Sequence, residues 1–85
     1  MIFDYTPKGV CSKKMRVTLD DKNVIEKVEV LGGCSGNLQG ISSLVVGMSA
    51  EEAIRRMRGI RCGSKGTSCP DQLAHALEAA LASEQ

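Results

Sequence analysis

Four cysteines are the residues of this chain best suited to chemistry, because a cysteine thiolate both binds metals and attacks electrophiles. Two of them flank a glycine-containing loop, Cys62-Gly-Ser-Lys-Gly-Thr-Ser-Cys69, and Pro70 follows directly. Proline is tolerated in the first turn of a helix, so Cys69 is expected at or next to a helix N-cap. The unpaired backbone N–H groups and the positive dipole at that end of a helix favour a thiolate over a thiol.

All four cysteines fall at the ends of predicted elements, at Cys11, Cys34, Cys62 and Cys69. Buried structural thiols usually lie inside hydrophobic stripes, whereas loops beside helix N-termini suit ligating thiolates. Four thiolates fit a closed tetrahedral zinc site or an iron–sulfur cluster. The spacing is not that of paired CxxC knuckles, so four ordinary cysteines, or two disulfides, are the alternative interpretation.

The composition describes a small domain with a modest core. The chain has 85 residues, no Trp, one Phe and one Tyr, and we predict a single domain over residues 1–85. Such a core is marginal, so a bound metal would add stability. The formal net charge of +1 gives no electrostatic case for binding nucleic acid or membranes.

The N-terminal residues do not resemble a signal peptide, since Asp4 lies where a basic region and a long apolar run would be needed. No apolar run is long enough to span a bilayer. We therefore predict a cytoplasmic location, where disulfides are disfavoured and four cysteines favour metal or redox chemistry.

Alternating polar and apolar residues predict three strands in the first 31 residues. Residues 2–6 form a short strand, and Met15, Val17 and Leu19 mark the buried face of the second. Residues 20–23 predict a hairpin turn and residues 24–31 the return strand.

Helical spacing predicts three helices in the remaining chain. The first covers about residues 36–46, although Gly40 is unfavourable there unless a segment packs closely against it. Ser49-Ala-Glu-Glu52 is a capping box for the second helix, which ends at Gly59. The third runs from Pro70 to about residue 82. This order predicts an α+β domain, with a three-stranded antiparallel sheet followed by three helices packed on one face.

Other polar residues favour ordinary structural roles. His75 and Asp71 are four residues apart, which predicts a surface pair on the third helix. The loop at residues 63–66 lacks the spacing of a phosphate-binding loop. A run of arginines predicts a solvated helix face, and its members are Arg55, Arg56, Arg58 and Arg61.

Thr67-Ser68-Cys69-Pro70-Asp71 is the motif that names the TSCPD domain family, and the segments around Cys34 and Cys62 also resemble that family. The resemblance covers nearly the whole chain. TSCPD domains occur as stand-alone four-cysteine proteins and at the C-terminal end of adenosylcobalamin-dependent ribonucleotide reductases. The resemblance therefore implies a cysteine metal site and a link to deoxyribonucleotide synthesis.

More distantly, the chain resembles iron–sulfur scaffold proteins with the IscU/SufE/NifU-like fold, a three-stranded antiparallel sheet with helices packed on it. Their three cysteine ligands correspond to Cys11, Cys34 and Cys69. Lys13 stands where that family has an aspartate, and Ser68 where it has a histidine. Cys62 is additional and could replace the histidine as fourth ligand. A site closed by four thiolates favours a structural or redox metal over cluster transfer.

The leading hypothesis is a metal-binding accessory module that holds one zinc or, less favoured, an iron–sulfur cluster, and serves ribonucleotide reductase or iron–sulfur machinery. An IscU-like cluster scaffold or sulfur-transfer protein is the alternative, and a thiol relay to a reductase is a third. Radical reduction itself needs a cofactor, a nucleotide pocket and a large barrel. We do not expect 85 residues to hold these, so we assign no catalytic residue.

Overall fold

Three antiparallel strands precede three helices. The computed structural model describes residues 1–9, 12–32, 35–61 and 66–83. The strands pair in the order β1-β2-β3. The predicted α+β arrangement is thereby confirmed. Its elements are β1 (Ile2–Tyr5), β2 (Ser12–Leu19), β3 (Ile25–Gly32), α1 (Ser35–Leu44), α2 (Ala50–Met57) and α3 (Cys69–Ser83).

The turn between β2 and β3 is held by the side chain of Asp20. Its Oδ1 accepts hydrogen bonds from the backbone N–H groups of Lys22 and Val24, at 2.8 and 2.9 Å. Asn23 adopts the left-handed conformation, with φ of 62°. Aspartate and asparagine favour such turns for these two reasons, so the predicted hairpin is confirmed.

One face of the sheet is apolar and the other is charged. Met15 and Val17 are fully buried, and in β3 they lie opposite Val30 and Val28. On the opposite face Arg16 donates from Nε to Asp4 Oδ1 at 2.7 Å. We call the charged side the open face; its central row is Asp4, Arg16 and Glu29.

The helices cover the apolar face. α3 packs against β1 and β2, α1 packs against β3, and α2 packs against α3. Leu73 and Leu77 of α3 are buried, and small alanines on α2 and α3 allow the two helices to approach closely.

The ends of the helices differ slightly from the prediction. Ser49 Oγ accepts from the N–H of Glu52 at 3.2 Å, which confirms the N-cap of α2, while the Glu52 carboxylate binds Arg55 and Arg56. α1 ends at Leu44, two residues earlier than expected.

Within the ranges that the structure describes, no helix has both the length and the apolar character needed to cross a membrane.

Candidate functional site

Cys69 is the first residue of α3, and Ser68 is the N-cap of that helix. The Ser68 hydroxyl accepts a hydrogen bond from the N–H of Asp71 at 3.2 Å. The backbone carbonyl of Ser68 accepts another from the N–H of Gln72 at 2.8 Å. Cys69 is half-buried. The expectation that this thiol lies at a helix N-terminus is confirmed, and Pro70 occupies the following position, where an N–H would lack an intrahelical partner anyway.

The carboxylate of Asp71 attaches the segment that follows α2 to the start of α3. Its Oδ1 accepts from the backbone N–H of Gly59 at 2.7 Å, and its Oδ2 accepts from the Thr67 hydroxyl. Next to it, the Ser68 hydroxyl donates to the Ile60 carbonyl at 2.6 Å. The chain two residues before Cys62 is therefore fixed to the helix that begins with Cys69.

Thr67 and Gln72 hold a second segment, residues 8–9, beside the start of α3. Gln72 Nε2 donates to Thr67 Oγ1 at 3.0 Å, and Gln72 Oε1 accepts from the backbone N–H of Lys8 at 2.9 Å. Gly9 has φ of 72°, and a Cβ built on it would lie 3.1 Å from Thr67 Cγ2. Only glycine combines that conformation with so close an approach, two residues before Cys11.

The environment of Asp71 favours its ionised form. The hydroxyl of Thr67, and next the backbone N–H of Gly59, hold the pKa of Asp71 below its ordinary value of 3.8. His75 Nε2 lies 3.5 Å from Asp71 Oδ2, so the predicted pair is present. The prediction of a surface pair was wrong for the aspartate, however, because Asp71 is buried, with 5% of its surface exposed.

The arginine run lies on the surface, as predicted, but α2 ends at Met57, so Arg58 and Arg61 are not part of the helix face. Arg55 and Arg56 bind Glu52, and Arg58 Nη1 lies 3.2 Å from Glu78 Oε2. These three side chains are well exposed, and Arg61 is exposed as well. Arg55 and Arg56 share one carboxylate, so these ion pairs neutralise only part of the positive charge of the run.

The ends of β2 and β3 lie side by side. Ser12 pairs with Gly32 and Lys14 with Leu31, so Lys13 is an extra residue that forms a bulge. Cys11 directly precedes Ser12, and Cys34 comes two residues after Gly32. The two strand ends that lead to these cysteines are therefore neighbours.

Three of the four predicted ligands, Cys11, Cys34 and Cys62, lie outside the described residues, and the loop at residues 63–65 does as well. Among the residues that are described, no three His, Cys, Asp or Glu side chains form a group able to hold a metal. The four-cysteine site therefore stays a prediction. The structure describes one of its residues, Cys69, and the segments that lead to the other three.

Sequence reasoning missed the polar residues around Cys69 as a connected set. Asp71 was expected to be a helix-surface residue, and no structural role was predicted for Thr67 or Gln72. Their only sequence signal is the density of hydrogen-bonding side chains around one helix start, which does not reveal that two distant segments are their partners.

In a comparison with known families, the model of the TSCPD domain matches residues 2–81 of the chain. Searches among curated proteins and among solved structures gave no match. The likeness to iron–sulfur scaffold proteins therefore stays a hypothesis.

Proposed function

The chain belongs to the TSCPD domain family, and on this basis we propose that it is a small accessory domain that binds one zinc ion. The proposed ligands are Cys11, Cys34, Cys62 and Cys69. The observation that carries the proposal is the set of hydrogen bonds that attaches the segments before Cys11 and Cys62 to the start of α3.

Chain length supports convergence of the thiols. Cys62 follows Ile60 by two residues, and the Ile60 carbonyl accepts a hydrogen bond from Ser68, which precedes Cys69. Cys11 follows Gly9 by two residues, and a Cβ built on Gly9 would lie 3.1 Å from Thr67 Cγ2. A chain extends by at most about 3.6 Å per residue, so Cys11 can lie no more than roughly 7 Å along the chain from Gly9, and Cys62 no more than that from Ile60. The same limit applies to the distance between Cys34 and Gly32, which are two residues apart, and Gly32 pairs with Ser12, the residue after Cys11.

The donor set suits zinc. Thiolates are preferred zinc ligands, and four of them close the tetrahedron, leaving no position for a catalytic water. When bound, zinc would supply a cross-link among the segments that surround α3, which is a structural role suited to a domain with a small core.

Metal analysis of protein purified without chelator tests this proposal. We expect a colourless protein with one zinc per chain, and little zinc in each single Cys→Ser variant. Ser43→Ala, an exposed change on α1, is the control and should keep full zinc content. A brown, absorbing anaerobic sample would indicate an iron–sulfur cluster instead. Protein without metal, equally stable before and after EDTA, would exclude the metal site.

For the partner, we propose an adenosylcobalamin-dependent ribonucleotide reductase, and the family resemblance supports this choice. The test is ribonucleotide reduction by such a purified enzyme with and without one equivalent of the zinc-loaded chain. We expect faster turnover with the wild-type chain and none of that gain with Cys69→Ser. Equal rates in all three reactions would rule out this partner.

A further inference from the structure

Both carboxylate oxygens of Asp71 bind groups outside its own helix, and Oδ2 also lies 3.5 Å from His75 Nε2 within that helix. Oδ1 binds the N–H of Gly59 and Oδ2 binds the hydroxyl of Thr67. A buried carboxylate is costly unless hydrogen bonds compensate for lost water, and these two do so. With both oxygens engaged, Asp71 is not a metal ligand in this arrangement, although it lies two residues from Cys69.

The carboxylate also sets the direction of the hydrogen bonds beyond it. Thr67 has one hydroxyl proton, and donating it to Asp71 leaves the oxygen free to accept from Gln72 Nε2. That orients the Gln72 amide with its Oε1 toward the N–H of Lys8. A continuous series of hydrogen bonds thus joins Gly59 to Lys8 through Asp71, Thr67 and Gln72. We call this series the Asp71 relay.

The two ends of the Asp71 relay are the backbone segments that lead to Cys62 and Cys11. All of its members are protein groups, so forming it requires no metal. The core residues in the described part of the chain are apolar side chains of the sheet, the helices and the turn after α1. We therefore expect these segments to keep their spacing in the metal-free protein, unlike those of a zinc finger, which is unfolded without its metal.

We propose that Asp71 is a positioning residue that, through the relay, holds the segments before Cys11 and Cys62 beside Cys69 and so presets the site before the metal binds. This inference rests on the proposed zinc site. Groups that orient metal ligands typically contribute about 10–100-fold to metal affinity, and we expect an effect of that size here.

The test compares zinc affinity, by competition with a chromophoric chelator, among wild type, Asp71→Asn and Thr67→Val. Both variants should bind zinc about 10–100-fold more weakly. The control Asp4→Asn makes the same chemical change on the open face, where Asp4 pairs with Arg16, and should bind as wild type does. Circular dichroism of the metal-free proteins identifies the variants that are folded.

Cobalt substitution separates positioning from simple loss of stability. Wild type should give the intense visible bands of tetrahedral Co²⁺ with thiolate ligands. Folded Asp71→Asn, saturated with Co²⁺, should give weaker or shifted bands because its ligands are held less precisely. If Asp71→Asn does not fold, the zinc affinity and cobalt spectrum of Gln72→Ala test the positioning role instead. That variant removes the bond to Lys8 and leaves both bonds of Asp71 in place.

Wild-type zinc affinity together with an unchanged cobalt spectrum in the folded relay variants would overturn the positioning role and leave the zinc site intact. A wild-type chain that binds no zinc would overturn the proposed function itself. The two failures are therefore distinguishable.

Discussion

Single side chains around Cys69 connect parts of the chain that are far apart in sequence. Ser68 caps α3 and also donates a hydrogen bond to the carbonyl of Ile60. Asp71 accepts a hydrogen bond from the N–H of Gly59. Pro70 was enough to predict that a helix starts here. The burial of Asp71 could not be predicted, because an acid four residues before a histidine is usually exposed and only tertiary structure brings Gly59 to it.

Two glycines should respond in opposite ways to alanine. Gly9→Ala should destabilise the protein by about 1–2 kcal/mol, since an L-residue is strained at positive φ and the methyl group would crowd Thr67. Gly40→Ala should stabilise by about 0.5–1 kcal/mol, because its Cβ would meet nothing within 4 Å in the interior of α1. Urea unfolding of the two variants measures both, and equal shifts would contradict the model of the Gly9 contact.

The Asp71 carboxylate should make stability depend on pH. Its pKa is lowered in the folded protein, so its contribution is present above the unfolded value of 3.8 and is lost as the pH falls toward the folded value. The stability difference between metal-free wild type and Asp71→Asn should therefore be greatest near neutral pH and shrink below pH 3.8. Thermal melts across pH 3–7 check this. A constant difference would mean that Asp71 does not ionise as described.

At the scale of elements, hydrophobic periodicity predicted the strands and helices well, but their exact ends less well. Alternation correctly gave the buried face of β2, where Met15, Val17 and Leu19 are inaccessible to solvent. The bulge at Lys13 was not predicted, because an extra residue in a strand depends on its partner. α3 begins at Cys69 rather than Pro70, since Ser68 supplies the cap.

The two serine caps should differ in their contribution to stability. Ser49→Ala removes a single N-cap bond to Glu52 and should cost about 1 kcal/mol. Ser68→Ala also leaves the Ile60 carbonyl without its donor, so we expect a cost of about 2 kcal/mol or more. Chemical denaturation of both variants provides the comparison. A smaller effect at Ser68 would show that its second bond contributes little.

At the scale of the whole molecule, the core lies between the apolar side of the sheet and the helices. Hydrophobic patterning predicted this layer and several of its residues, including Met15, Val17 and Leu19. It could not predict which loops meet at the start of α3, because the contacts of Gly9 and Gly59 are set by the packed layers. The proposed meeting of the four thiols likewise depends on loops rather than on patterning.

Leucines inside and outside this layer should behave differently. Leu77→Ala should cost about 2–5 kcal/mol, because Leu77 is fully buried between α3 and its neighbours. Leu44→Ala should change stability by less than about 0.5 kcal/mol, since Leu44 is 79% exposed at the end of α1. Calorimetric melts of the metal-free proteins measure both. A large loss at Leu44 would indicate that another chain covers it in solution.

The open face offers a practical advantage for studying the protein. Asp4, Arg16 and Glu29 are turned away from the helices and from the residues around Cys69. A fluorophore or biotin attached at position 29 would therefore immobilise or report on the molecule while leaving the helix side accessible. Surface-bound protein in that orientation could be exposed in turn to metal, chelator and candidate partners.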